Sequence, residues 1–439
     1  MADSLLITGG RVVDPSQGLD EPRDVLIVDG QIEAVDRGVS RERAARTIDA
    51  SGLIVSPGFV DIHTHLREPG GEVSETIESG ARSAAAGGFT TVFCMPNTRP
   101  VCDSSLIVRS IIERACAAGH ARVVPVASVT TGMSGEHLND YTALLEAGAG
   151  AFSDDGLPVA NAQMMRRAMQ SIADLGAPIF DHCEDLDLTG PGVMHEGVVS
   201  ARLGVPGIPR NSEALCVMRD CALALETGAH LHICHVSNVE SIEAIRWFKS
   251  RGARVTAEVS PHHLTLTDEA VDAFNVNAKM KPPLCDETDR VALIEALEQG
   301  IIDIIATDHA PHAPATKDTT LDQAPFGILG FETAFPVLHR EFVETGRWTL
   351  PFLIERMTIG PAQIVGGAWG TLKPGSPGDV VLLASDRSWR YESSMIRSRS
   401  RNTPWLDEMF PGGVEATIFG GRVTHVHEGS PMGATLAGG

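Results

Sequence analysis

The 439-residue sequence contains no C-x-x-C pair and no G-x-x-x-x-G-K-[ST] loop. It also has no apolar run of the roughly 18 residues a membrane span requires. Gly148 and Gly150 do not complete a dinucleotide fingerprint. Eight cysteines, Cys94, Cys102, Cys116, Cys183, Cys216, Cys221, Cys234 and Cys285, stand singly, unlike the framework of a small secreted disulfide scaffold. Free thiols in a reducing compartment are expected. Positive charge is scarce: Lys+Arg 35 against Asp+Glu 57 gives a net charge of −22, the wrong sign for a phosphate-backbone binder. The start, Met1-Ala2-Asp3-Ser4, lacks the basic and apolar regions of a secretory leader, so the chain reads as soluble and cytoplasmic. Repeats of 20 to 50 residues and low-complexity tracts are absent too. What is present is a folding composition, 43% hydrophobic and 21% charged. The length admits one α/β barrel of about 250 residues and something smaller.

Both ends of the chain are β-rich. Leu5-Leu6-Ile7, Val12-Val13 and Val25-Leu26-Ile27-Val28 lead into Asp29-Gly30 and Ile32, and Asp-Gly between apolar runs predicts a hairpin whose turn needs positive φ at both residues. Val380-Val381-Leu382-Leu383 and Ala416–Val423 repeat the style, and neither end suffices for a domain alone. Residues 1–56 and 366–439 are therefore expected to build one small β-sandwich together. Between them, over 57–365, short apolar runs alternate with helical segments. The runs are Phe59–His65, Thr90–Pro96, Arg122–Val129, Ala151–Asp155, Pro178–Glu184, His230–Ser237, Arg254–Ser260 and Ile301–Asp308. Eight parallel β-α units imply a TIM-type (β/α)8 barrel. After the sixth run, Ser237 and Glu240 read as a capping box, Ile242, Ile245 and Trp247-Phe248 as an apolar stripe, and Gly252 as the stop.

Active sites of such barrels form at the C-terminal ends of the strands. There this sequence places His63 and His65, Asp154-Asp155, His182, His235 and Asp308. Strand alternation sends His63 and His65 to one side, with Asp61 sharing their parity as a candidate outer partner. Imidazole nitrogen and carboxylate oxygen suit Zn²⁺ in a site that keeps a position open. Buried without a cation or a network, such groups would cost several kcal/mol. His230 and His232, further down the sixth strand, read as structural, as do His262-His263, His120, His137, His195, His339, His425 and His427. Cys94, Cys183 and Cys234 read as small core residues.

The motif Gly58-Phe59-Val60-Asp61-Ile62-His63-Thr64-His65-Leu66-Arg67-Glu68-Pro69-Gly70 resembles the metal signature of the amidohydrolase superfamily in its dihydroorotase form. Met95-Pro96-Asn97-Thr98, Ser153-Asp154-Asp155-Gly156, Asp181-His182-Cys183-Glu184, Cys234-His235-Val236-Ser237, Thr307–His312, Pro325-Phe326-Gly327 and Ser400-Arg401-Asn402-Thr403-Pro404 follow in that family's order. Arg67, Asn97, Asp154-Asp155 and Pro325-Phe326-Gly327 narrow the resemblance to bacterial class I dihydroorotases. It implies zinc-dependent interconversion of N-carbamoyl-L-aspartate and L-dihydroorotate in pyrimidine synthesis. His63, His65, Asp155 and Asp308 would surround one Zn²⁺, and Asp155, His182 and His235 a second. Spacing leaves Asp154 and Asp155 equal as bridging ligands; the family motif points to Asp155. Asp308 would carry the proton as base, then acid. Substrate contacts fall to His65, Arg67, Asn97, Lys281, His312, Phe326 and Gly327. The stretch from Ala310 to Phe326, poor in apolar anchors, reads as a mobile loop over the site.

The resemblance also points to a homo-oligomer, a dimer, and to aspartate transcarbamoylase as a partner, a role in which some dihydroorotase-like chains are silent scaffolds. This chain departs from the family where Lys279-Met280-Lys281-Pro282-Pro283-Leu284-Cys285 replaces Lys-Met-Asn-Pro-Pro-Leu-Arg. Lys281 stands for an asparagine that contacts substrate, and Cys285 for an arginine. A hydantoinase or allantoinase would share fold and metals, but many use a carboxylated lysine after the fourth strand, and no lysine occurs between Arg122 and Pro178.

Overall fold

In the computed structural model, which describes residues 3–428 and 430, eight parallel strands form the centre of the molecule. They are Phe59–Thr64, Phe89–Cys94, Arg122–Ala127, Ala151–Phe152, Ile179–Asp181, Leu231–Ile233, Val255–Val259 and Ile304–Ile305, each paired with its neighbour in that order. A Thr64–His309 bridge and the His65 N to His309 O bond of 2.9 Å close first strand onto last. This is the expected (β/α)8 barrel. The fourth, fifth, sixth and eighth strands are shorter than the apolar runs because the chain leaves the ladder before Asp155, His182, His235 and Asp308. Val60, Ile62, Phe93, Val126, Phe180 and Ile304 fill the interior beneath. Phe59, Phe89, Phe331 and Phe335 pack between the strands and the surrounding helices.

Two sequence readings change here. The helix after the sixth strand, Val239–Ser250, is capped by Asn238, whose side chain accepts from Ser241 N at 3.0 Å. Ser237, the expected cap, instead gives its hydroxyl to the buried Glu213. Ile242 and Ile245 are buried as expected, but Trp247 faces solvent against Phe248 and Arg251. Along the first strand, register shifts around Asp61 interrupt simple alternation. Asp61 does not meet an imidazole: it accepts from the backbone of His63 and Thr307 and from the Thr307 hydroxyl at 2.6 Å, tying strand one to strand eight.

Both chain ends contribute to a six-stranded sheet ordered 422–426, 413–419, 380–384, 54–57, 11–14, 19–22. A four-stranded sheet, 31–36, 24–28, 4–8, 46–49, shares one buried cluster with it, built from Leu5, Ile7, Val25, Val55, Val380 and Ile418 among others. Asp29 (φ 47°) and Gly30 (φ 78°) make the expected turn between Asp24–Val28 and Gln31–Asp36. The barrel is joined to these sheets by Arg122, at the start of the third strand. Its guanidinium donates to Thr91 Oγ1 (2.7 Å) and to Asp379 Oδ2 (2.9 Å), and lies 5.4 and 5.3 Å from the Trp369 and Phe419 rings. Burial pushes the Asp379 carboxyl up, and Arg122 opposes that shift. Arg122→Met leaves a buried carboxylate without its counter-ion and is expected to cost about 3 kcal/mol. The urea midpoint reads that loss, and adding Asp379→Asn should restore most of it.

Candidate active site

The residues expected from the sequence converge at the C-terminal mouth of the barrel. Asp155, just past the two-residue fourth strand, lies in the middle. Its Oδ1 is 3.4 Å from His63 Nε2, 3.6 Å from His182 Nδ1 and 3.9 Å from His235 Nε2, and its Oδ2 is 3.4 Å from His65 Nε2. Asp308 Oδ1 sits 3.0 Å from His65 Nε2 and 3.6 Å from His63 Nε2, while His182 Nδ1 and His235 Nε2 are 2.8 Å apart. Asp154 turns away: it accepts from Val129 N (2.8 Å), Thr130 N (3.1 Å) and the Thr130 hydroxyl, pinning the loop after strand three.

His63 Nε2 and Asp155 Oδ1 are buried and face each other without a hydrogen-bond partner. Orphaned buried donors and acceptors are costly, and nitrogen and carboxylate ligands converging on one point suit a divalent cation. His63, His65 and Asp308 form one set able to hold an ion, and His63, Asp155 and His235 another. Burial raises the Asp155 and Asp308 carboxyls, but the surrounding imidazoles outweigh it and hold both well below the usual carboxylate range. Burial, with His182 and His63 alongside, pushes His235 down to about 3, which keeps its ring in the neutral form that binds metal. Arg67 (φ 60°), His235 (φ 33°) and Asp308 (φ 45°) all occupy the left-handed region, a strained conformation that this packing imposes at the site.

Two carboxylates behind the cluster escaped the sequence reading. Glu258, on strand seven, accepts from His63 Nδ1 (2.5 Å), His232 Nε2 (2.9 Å) and His235 N (3.2 Å), which draws His232 into the support of the site. Despite burial it is held down at about 2 by those histidines. The available signal was an acidic residue inside an apolar strand, Val255-Thr256-Ala257-Glu258-Val259. Glu184 plays the matching part for His182, at 3.2 Å from Nε2, and also meets Thr189 Oγ1 (2.7 Å) and Lys281 Nζ (2.8 Å).

Above the cluster lies a cleft of about 160 Å³ walled by Arg67, Asn97, Lys281, His312, Phe326 and Gly327. Asn97 Oδ1 accepts a hydrogen bond from His65 Nδ1 at 3.0 Å. Arg67 is half-buried, with Nε on Pro311 O at 3.1 Å. His312 Nε2 donates to Phe326 O at 2.6 Å, since a carbonyl can only accept. Lys281, paired with Glu184, lies 5.3 Å from the Phe326 ring. The stretch from Ala310 to Phe326 has more anchors than its composition suggests. Ala313, Leu321 and Ala324 are buried, Lys279 Nζ donates to Leu321 O (2.6 Å) and Ala324 O (2.7 Å), and Lys317 Nζ donates to Val276 O (2.8 Å). Cys285 is buried, and the cation beside Asp289 is Arg210, 2.8 Å away.

Residues 52–241 match the family model described as dihydro-orotase-like. Over 422 residues, 96% of this chain and 99% of the relative, the sequence is 47% identical to the dihydroorotase of Geobacter metallireducens. Against the dihydroorotase of Pelotomaculum thermopropionicum it is 48% identical over 95% of this chain and 98% of that one. The chain belongs to the dihydroorotase family. Among solved structures, an L-hydantoinase from Arthrobacter aurescens superposes with a TM-score of 0.86 at 26% identity over 96% of both chains. A dihydropyrimidinase from Brevibacillus agri does so with a TM-score of 0.81 at 22% identity, covering 96% of this chain and 94% of that one, a likeness of fold.

Glu258 bonds the ring nitrogen of His63 that faces away from Asp155. Glu258→Gln should therefore weaken metal retention about 10- to 100-fold while leaving the far-UV dichroism unchanged. Competition with a chelator, followed by metal analysis, measures it.

Proposed function

We propose that this chain is a dihydroorotase, opening L-dihydroorotate to N-carbamoyl-L-aspartate and closing it again. The observation that carries the reading is a half-buried guanidinium, Arg67, at the mouth of a carboxylate-centred four-histidine cluster, in a chain that matches dihydroorotases along nearly its whole length. Two Zn²⁺ ions fit the donor set, with His63, His65, Asp155 and Asp308 about one and Asp155, His182 and His235 about the other. Such ions lower the pKa of water toward about 7 and polarise an amide carbonyl.

The remaining steps belong to side chains. Asp308, kept ionised by His63 and His65, is placed to take the proton of the attacking water and deliver it to the ring nitrogen as the C–N bond breaks. In closure the same carboxylate removes the ureido proton. The substrate is anionic and the chain carries −22, so the carboxylate needs a local cation; Arg67 offers a planar fork for it. Asn97, Lys281 and His312, the last through its free Nδ1, complete the polar contacts, and Phe326 and Gly327 close the rim over His65. A bridging role for Asp155 is supported by its contacts with all four histidines. The eight free cysteines fit a reducing, cytoplasmic compartment, and among the described residues no helix is long and apolar enough to cross a membrane. A homodimer and an aspartate transcarbamoylase partner belong to the same reading and rest on the family resemblance.

The test joins metal analysis to ring opening of L-dihydroorotate by the purified chain. Wild type should hold zinc and turn over, and Asp308→Ala should lose about 10³-fold in kcat while retaining part of its zinc through the remaining ligands. Arg67→Met removes a charge-assisted pair of about 3 kcal/mol, expected as a rise of about 100-fold in KM. Bound zinc without turnover of dihydroorotate, or turnover of hydantoin in its place, would overturn the reading.

A further inference from the structure

Residues 398–402 alternate strictly between buried and exposed: Ser398, Ser400 and Asn402 are buried, and Arg399 and Arg401 face solvent. Such alternation marks an extended segment with one face against the protein, yet these residues belong to no sheet. Their inward side chains meet the rim of the barrel instead. Ser398 Oγ donates to Glu75, whose carboxylate lies 3.5 Å from His309 Nε2, beside Asp308 in the chain. Ser400 Oγ donates to Ser74 O at 2.7 Å, and Ser74 Oγ receives Ala313 N at 3.1 Å. Asn402 goes furthest. Its Nδ2 donates to Ala310 O (2.9 Å) and Gly327 O (3.0 Å), and its Oδ1 accepts from His312 N at 3.0 Å.

The amide of Asn402 thus uses both donors and its acceptor on three residues that line the substrate cleft. The side chain is 2% exposed and is not itself part of the cleft wall. Ala310, His312 and Gly327 come from two separate stretches of chain, 15 residues apart between Gly327 and His312, and a single planar amide sets the distance between them. The flanking residues Ile396 and Trp405 seat the strap in a buried cluster with Met280, Ala310 and Ile328, so Asn402 is held from behind. We propose that Asn402 is a positioning residue for substrate binding: through the strap 398–402, the C-terminal part of the chain fixes His312 and Gly327 against Arg67. This inference rests on the dihydroorotase reading for its kinetic consequence, but not for its structural one.

Two measurements on the full chain test it. Hydrogen exchange of the Ala310 and His312 amides and of amides 327–329 should accelerate in Asn402→Ala and be unchanged in Arg399→Ala, whose side chain faces solvent. In Asn402→Asp, which keeps the acceptor for His312 N and removes both donors, the His312 amide should stay the more protected of the two variants. In steady-state kinetics Asn402→Ala should raise KM for L-dihydroorotate on the order of tenfold, with kcat changed far less and zinc content unchanged. A merely structural role would reduce the active fraction, lowering kcat with KM constant; that result, or exchange at Ala310 and His312 unchanged in both variants, overturns the proposal. If Asn402→Ala fails to fold, Asn402→Asp and Ser400→Ala carry the same two readouts. Absence of turnover in wild type would strike the dihydroorotase reading, and the exchange experiment would still decide the strap.

Discussion

Asp155 lies among four imidazoles, each within 3.4 to 3.9 Å of one of its oxygens, at a depth where only 3% of the residue is exposed. A carboxylate there is tolerable only if positive charge surrounds it, and imidazoles there remain useful as ligands only if something keeps them from turning away. The structure answers both demands with a ring of outer partners. Glu258 fixes the far nitrogen of His63, Glu184 that of His182, and Asn97 that of His65. These bonds select which nitrogen of each ring faces inward, and buried acceptors of this kind also raise the basicity of the inward nitrogen. Asp154, adjacent in sequence, is spent on backbone amides of the neighbouring loop, so the pair of aspartates divides into one at the centre and one in the frame.

The barrel makes such a cluster possible because every strand ends at the same rim, but the rim is bought with irregular backbone. The fourth and eighth strands keep only two ladder residues each, and Arg67, His235 and Asp308 take positive φ immediately beyond strands one, six and eight. Conformations of that kind cost about 1 to 3 kcal/mol apiece and persist where surrounding contacts over-determine them. The over-determination is visible: Asp61 locks strand one to Thr307, and Glu258 holds both the His63 ring and the His235 backbone. Strain and support are thus parts of one arrangement.

Much of this was legible in the chain. The eight apolar runs, their alternation with helical segments and the position of His63, His65, Asp155, His182, His235 and Asp308 at the ends of runs follow from periodicity and from the rule that barrel chemistry sits at strand C-termini. What escaped has a common cause. Glu258 and His232 act through residues distant in sequence, so their partners became visible only when strands six and seven lay beside strand one, and Glu184, only two residues from His182, escaped because chain spacing does not show that its carboxylate turns back onto that ring. Asp61 was misread because alternation assumes a regular strand, and this one is shifted in register. The capping residue moved by one because Ser237 had a stronger use, as donor to the buried Glu213. Ser398, Ser400 and Asn402 carry an alternating pattern, but with polar residues on the buried face it resembles a loop.

Charge balance at the cleft explains how an acidic chain can receive an anion. Lys281 brings a cation to the wall, but Glu184 stands 2.8 Å from its ammonium and is itself held down at about 2, by His182 and Lys281 against the effect of burial. That pair is close to neutral as a unit. His312 contributes no charge either, because burial and the nearby Arg67 push it down to about 3. Among the described residues of the wall this leaves Arg67, which makes no ion pair although the Asp308, Asp155 and Glu75 carboxylates stabilise its charge from further off, as the cation left to meet an anion directly. Attraction from a half-buried guanidinium inside a cleft is screened less than that of a fully exposed surface charge in salt. A single well-placed arginine can therefore outweigh a net charge of −22 that is spread over the whole surface and screened by water and ions.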